Sequence, residues 1–134
     1  MMKPLYNAFI RTHHITSRKK IQRLRHAAQV LQVDFVMLRF GGAPGLMYVE
    51  SRSEEAVTEW VSTVHSLRYK DYRCLRKPSP VQAAEFGVQT GANIAVERLG
   101  DGFHEIYSVA EFGKQIDLRG LRDWWQKAMG YKSE

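Results

Sequence analysis

The sequence predicts an α+β fold: a split β-α-β-β-α-β sandwich over residues 1–80, with a C-terminal, partly helical extension over residues 81–134 that shares its core. Three observations predict it. Two stretches repeat apolar residues at three- and four-residue steps, and each is flanked by short runs of aromatic and β-branched residues. A segment rich in glycine and proline joins two of those runs directly, as in a hairpin. Finally, Pro78-Ser79-Pro80 closes the pattern, and the residues beyond it are too few to build a core of their own.

The first strand is read over Tyr6 to Ile15, ending where Thr16-Ser17 offers a helix N-cap. Ile21, Leu24, Ala28 and Leu31 then share one face of a helix, with Lys19, Lys20, Arg23 and His26 mostly off it. After Asp34, the run Phe35-Val36-Met37-Leu38-Arg39-Phe40 suits an interior strand. Gly41-Gly42-Ala43-Pro44-Gly45 makes a tight connection to a third strand, Leu46-Met47-Tyr48-Val49-Glu50.

Ser53-Glu54-Glu55 begins a second helix, its acids facing the positive end of the helix dipole, and Val57, Trp60, Val61, Val64 and Leu67 carry the apolar stripe. Tyr72 to Lys77 is the fourth strand, which the two prolines are expected to terminate. This order folds most simply as a ferredoxin-like sandwich with both helices on one face of the sheet. In the extension, Asn93 to Arg98 is read as an extra strand and Leu99 to Phe103 as a turn. Val109 to Ile116 and Leu121 to Met129 are read as helices, with Gly130 as a C-terminal cap.

The composition is that of an ordinary globular protein, 44% hydrophobic and 25% charged. The lone Cys74 cannot form an internal disulfide, and no apolar run approaches the ~20 residues of a membrane-spanning helix. Met1 to Leu5 lack the apolar stretch of a secretory signal, so the expected setting is intracellular, nuclear or cytoplasmic. Charge is asymmetric. Residues 1–80 hold 14 Lys/Arg against 6 Asp/Glu, a net +8, whereas residues 81–134 hold 6 against 8, a net −2. A positive field of this kind favours polyanions such as RNA, or acidic protein surfaces.

Four local features resemble a known family. They are His13-His14-Ile15 closing the first strand, Arg18-Lys19-Lys20 opening the first helix, Gly42-Ala43-Pro44-Gly45 followed by Tyr48-Val49-Glu50, and Leu67-Arg68-Tyr69-Lys70 ending the second helix. In this order they resemble the domain C-terminal to the RWD module in RWD-domain-containing protein two, related to the C-terminal domain of the spliceosomal pre-mRNA-processing factor three. The resemblance covers residues 6–77. It implies a ferredoxin-like fold, binding to small nuclear RNA in the spliceosomal relatives, and no enzyme activity. The RWD-type relatives carry an N-terminal interaction module, so the domain is expected either as part of a longer protein or standing alone. The segment Trp124 to Tyr131 is closer to fungal members of the wider group.

Each group of chemistry-bearing residues also admits a blander role. Arg18, Lys19, Lys20, Arg23, Arg25 and His26 suit phosphate contacts, each releasing counterions; a solvated helix face carries the same residues. Arg39, Arg73, Arg76 and Lys77 lie on or after strands beside Phe35, Met37 and Tyr48, an arrangement that suits stacking of single-stranded RNA if the sheet face is open. The favoured expectation is that the aromatic tail covers that face. Trp124 and Trp125 diverge by about 100° on a helix, so only one faces the core fully; the other is either a partner anchor or, on the simpler reading, partly buried against the sheet. His13 and His14, adjacent on a strand, are expected to point to opposite faces.

No metal-ligand spacing, phosphate-binding P-loop or nucleophile motif is visible, and neither cofactor nor metal is expected. The leading expectation is a noncatalytic RNA-associated domain; the alternative is a protein-protein interaction adaptor, and a small hydrolase is a third class.

Overall fold

The computed structural model describes residues 4–82 and 98–133. Strands β1 (Tyr6–Thr12), β2 (Phe35–Arg39), β3 (Gly45–Ser51) and β4 (Arg73–Pro80) alternate with helices α1 (Arg18–Leu31) and α2 (Glu54–Ser66) in the expected order. The extension adds β5 (Gly102–Ile106), α3 (Val109–Leu118) and α4 (Arg122–Met129). One mixed sheet runs β4-β1-β3-β2-β5, antiparallel except where β5 pairs parallel to β2. Its first four strands, with α1 and α2 on one face, are the ferredoxin-like arrangement.

Strand alternation divides the core in two. Ala8, Ile10, Val36, Leu38, Met47 and Val49 face α1 and α2, meeting Ile21, Leu24, Val57, Trp60 and Val64. Phe9, Phe35, Met37, Leu46 and Tyr48 face the other way and meet Phe112, Ile116, Leu121 and Trp125 of the extension. The open face of the ferredoxin-like unit is therefore covered. All seven residues of β3 are buried, as a central strand sandwiched between two layers requires.

Three helix starts carry serine caps, and those at Ser17 and Ser53 are the ones the sequence predicts. Ser17, Ser53 and Ser108 each accept a hydrogen bond from the backbone N–H three residues on, and Gly130 caps α4 at φ +80°. Three readings need correction. The first strand stops at Thr12; Ile15 returns only as an isolated bridge to Gly41. The prolines do not end the fourth strand, which runs through Pro78 to Pro80 opposite Tyr6. Among the described residues β4 is an edge strand, paired on one side only, so a missing N–H costs it little. The stretch read as a turn runs into β5: Gly102, at φ +126°, starts the strand, and its N–H bonds Asp34 O. The strand read over Asn93 to Arg98 lies, except for Arg98, outside the described residues.

Candidate nucleic-acid interface

The C-terminal end of β1, the start of α1, the end of α2 and the start of β4 converge at one end of the sheet. His13 N–H donates to Lys70 O at 2.8 Å, and Gly45 N–H donates to His13 O at 3.2 Å, so three loops are tied together there. Gly45 is required at this junction, because a Cβ would overlap the Thr12 hydroxyl and the Ile15 side chain. His13 and His14 lie beyond the strand, so alternation does not separate them as expected. Their rings meet edge to face at 5.1 Å, and His13 Nδ1 lies 3.5 Å from Asp71.

The extension decides which of the candidate cations are free. Arg18 bonds Glu105 at 2.7 Å and lies over the Phe40 ring; Arg25 bonds the same carboxylate at 3.1 Å and covers Phe103. Arg39 donates to the carbonyls of Tyr107, Gly42 and Pro44, holding the β2–β3 turn against the strand end. Arg76 donates to Trp124 O at 2.8 Å and lies over the Trp124 ring. Arg18, Arg39 and Arg76 thus act as internal fasteners. By contrast the side chains of Lys19, Arg23, Arg73 and Lys77 are exposed and make no hydrogen bond or ion pair among the described residues. Lys20 is half-buried, its Nζ 4.6 Å above the Tyr69 ring.

The alternative of a stacking sheet face is excluded by burial. Phe35, Met37 and Tyr48 are fully buried under α3 and α4. Trp125 is 7% exposed and belongs to the core, as one of the two tryptophans was expected to. Trp124 follows the simpler of its two readings: it is half-buried, its ring 6.2 Å from Phe9 and 5.9 Å from Tyr48.

Sequence reading missed Arg11, Arg68, Lys70 and His14, which the topology places at the same end. Arg11 and Arg73 are direct cross-strand partners, a like-charge pairing that costs stability. Arg68 sits at φ +57°, where glycine is the usual residue. The first turn of α1 holds no acid and three cations, opposing its own dipole, whereas α2 begins with Glu54 and Glu55. The two electrostatic arrangements, the Arg11/Arg73 pairing and the acid-free first turn of α1, are unfavourable in isolation and are relieved beside a polyanion. The signal available in the sequence is the Arg68-Tyr69-Lys70 run, which follows α2.

Two cavities open at this end. One of about 240 Å³ is lined by His14, Thr16, Ser17, Lys20, Arg68, Tyr69 and Lys70. Its neighbour, of about 550 Å³, is lined by His65, Ser66, Arg68, Tyr69 and Tyr72. Burial pushes the Tyr69 and Tyr72 hydroxyls up to about 12, and Cys74 also lies above its ordinary thiol value, mainly through burial. Among the described residues no group of three His, Cys, Asp or Glu converges to hold a metal, and no helix is long and apolar enough to cross a membrane. No family model, curated protein or solved structure matches the chain.

Proposed function

We propose that this chain is a noncatalytic, RNA-associated binding domain, of the RWD-associated and pre-mRNA-processing-factor-like type that its motifs resemble, and that it engages phosphates with the basic end of the sheet. The observation that carries the reading is the sorting of cations. Carboxylates, carbonyls and rings of the extension engage Arg18, Arg25, Arg39 and Arg76, while Lys19, Lys20, Arg23, Arg68, Lys70 and Arg73 are left without ion pairs at one end. Unpaired cations from three segments of chain, α1, the loop after α2 and the start of β4, supply affinity for a phosphate backbone without reading its sequence.

The test is a titration of single-stranded RNA at several salt concentrations. With about five phosphates engaged, log Kobs falls against log [salt] with a slope of about −3.5. Replacing Lys19, Arg23 and Arg73 together by Gln lowers the steepness by about 2, whereas Arg122→Gln, remote and paired with Asp117, leaves it unchanged. No binding at low ionic strength would sink the proposal.

A second reading, a protein-interaction adaptor, is favoured by one feature. Between α1 and α2 lies a cavity of about 370 Å³ lined by Ala27, Val30 and Leu31, with Val30 65% exposed. Capture of a partner that survives nuclease and is lost in Val30→Asp supports it.

A further inference from the structure

We propose that the two cavities at the basic end form a single nucleotide seat, in which the smaller takes a terminal phosphomonoester and the larger takes the base. This deepens the RNA reading and rests on the same surface, but it makes a separate demand: a preference for a phosphate at a chain end.

The cavities share Arg68 and Tyr69 as a common wall. The smaller has Lys20, Arg68 and Lys70 on its lining and no carboxylate. Ser17 and Thr16 add hydroxyls, and the start of α1 adds the positive end of a helix whose first turn holds no acid. A phosphomonoester carries about −1.5 to −2 charge and three acceptor oxygens, so three cations converging from two segments match it. A backbone diester offers a single charge along a passing strand and asks only for a groove.

The larger cavity has a different character. His65 and Tyr72 lie ring to ring at 4.9 Å and tilted by 38°, giving an aromatic wall against which a base stacks without sequence preference. Tyr69 is 7% exposed, yet its hydroxyl has no hydrogen-bond partner among the described residues, a cost that phenylalanine would avoid. The loop is held in place: Arg68 N–H bonds His65 O, and Lys70 O receives His13 N–H. The seat is therefore built before a ligand arrives.

The experiment uses the full chain, with adenosine monophosphate, adenosine and inorganic phosphate as small probes. RNA oligonucleotides carrying a 5′-phosphate, a 3′-phosphate or hydroxyls at both ends are compared at one salt concentration. The expected result is that the monophosphate shifts the amide resonances of Ser17 to Lys20 and of Arg68 to Lys70, while adenosine does not. One of the two phosphorylated RNAs binds about tenfold or more tightly than the hydroxyl-ended RNA. Arg68→Gly, which suits the positive φ and so spares the fold, and Lys70→Gln each abolish that preference without abolishing RNA binding.

Equal binding of all three RNAs together with unmoved resonances overturns the seat and leaves the RNA reading standing. Monophosphate binding without binding of any RNA upholds the seat, assigns it to free nucleotides and removes the RNA reading. Preference for a phosphorylated RNA end identifies the end as the source.

Discussion

The two faces of the sheet are closed by different physics. The α1/α2 face is an apolar layer assembled by crossovers close in sequence, with Trp60 at its centre donating its indole N–H to Leu24 O at 3.1 Å. The face under α3 and α4 is also apolar, but a buried polar chain crosses it. Asn7 donates to Tyr48 Oη, Tyr48 donates to Glu50 at 2.6 Å, and Arg119 grips both carboxylate oxygens of Glu50 at 3.3 and 2.8 Å. Arg119 also lies 3.8 Å above the Phe35 ring and donates to Leu99 O. A chain segment docking 69 residues away from its partner needs more than greasy contact to choose one position. A buried pair that is satisfied only in one register supplies that choice.

Breaking the first face is expected to have the largest effect. Trp60→Ala removes the centre of the α1/α2 layer and one buried hydrogen bond, and should cost about 3–5 kcal/mol, measured by urea unfolding. Loss of all secondary structure in a single transition at lower urea would mark this face as the common core. A cost under about 1 kcal/mol would contradict that.

The second face should respond less simply. Arg119→Met leaves Glu50 buried without its partner and should cost about 3 kcal/mol or more, whereas Arg119→Met combined with Glu50→Met should recover most of the loss. The double variant is expected to protect α3 and α4 from protease less sharply than the parent does, if the pair selects register as well as adding stability. Equal costs for the single and double variants would show that Arg119 acts through packing on Phe35 alone.

The smallest effect is one of pH, and it touches both faces. Burial raises Tyr48 well above its ordinary value, and the charge of neighbouring Glu50 raises it further; Tyr69 and Tyr72 stand at about 12, chiefly through burial. The fold thus favours the neutral phenols. The contribution of Tyr69 and Tyr72 is complete below the ordinary tyrosine value near 10 and is lost as pH rises through about 12. Tyrosinate absorbance from these three should appear only above pH 10. Ionisation of Tyr48 before the α1/α2 layer loosens would show that the extension opens first.

Much of the fold was legible because it is written in local periodicity. Ile21, Leu24 and Ala28 repeat at helical steps, Val57, Trp60 and Val64 do the same, and all six are buried. Strand β5 was not legible: Gly102-Phe103-His104-Glu105-Ile106 is short, begins on glycine and alternates weakly, and it becomes a strand because the free edge of β2 lies beside it. The candidate site was half legible. Lys19, Lys20, Arg23 and Arg73 were marked by charge and position, but nothing local distinguishes Arg23 from Arg25 two residues on.

By itself, then, the sequence determined the element order of the first 80 residues, the helix starts at Ser17 and Ser53, the covering of the second face by an aromatic tail and the excess of cations in the first 80 residues, because each depends on spacing or composition. Only the tertiary structure decided which cations are spoken for. Glu105 reaches Arg18 and Arg25 across 80 or more residues, and the loop after α2 brings Arg68 and Lys70 to the start of α1. Ion pairing falls off over a few ångströms of space, and distance along the chain does not report distance in space.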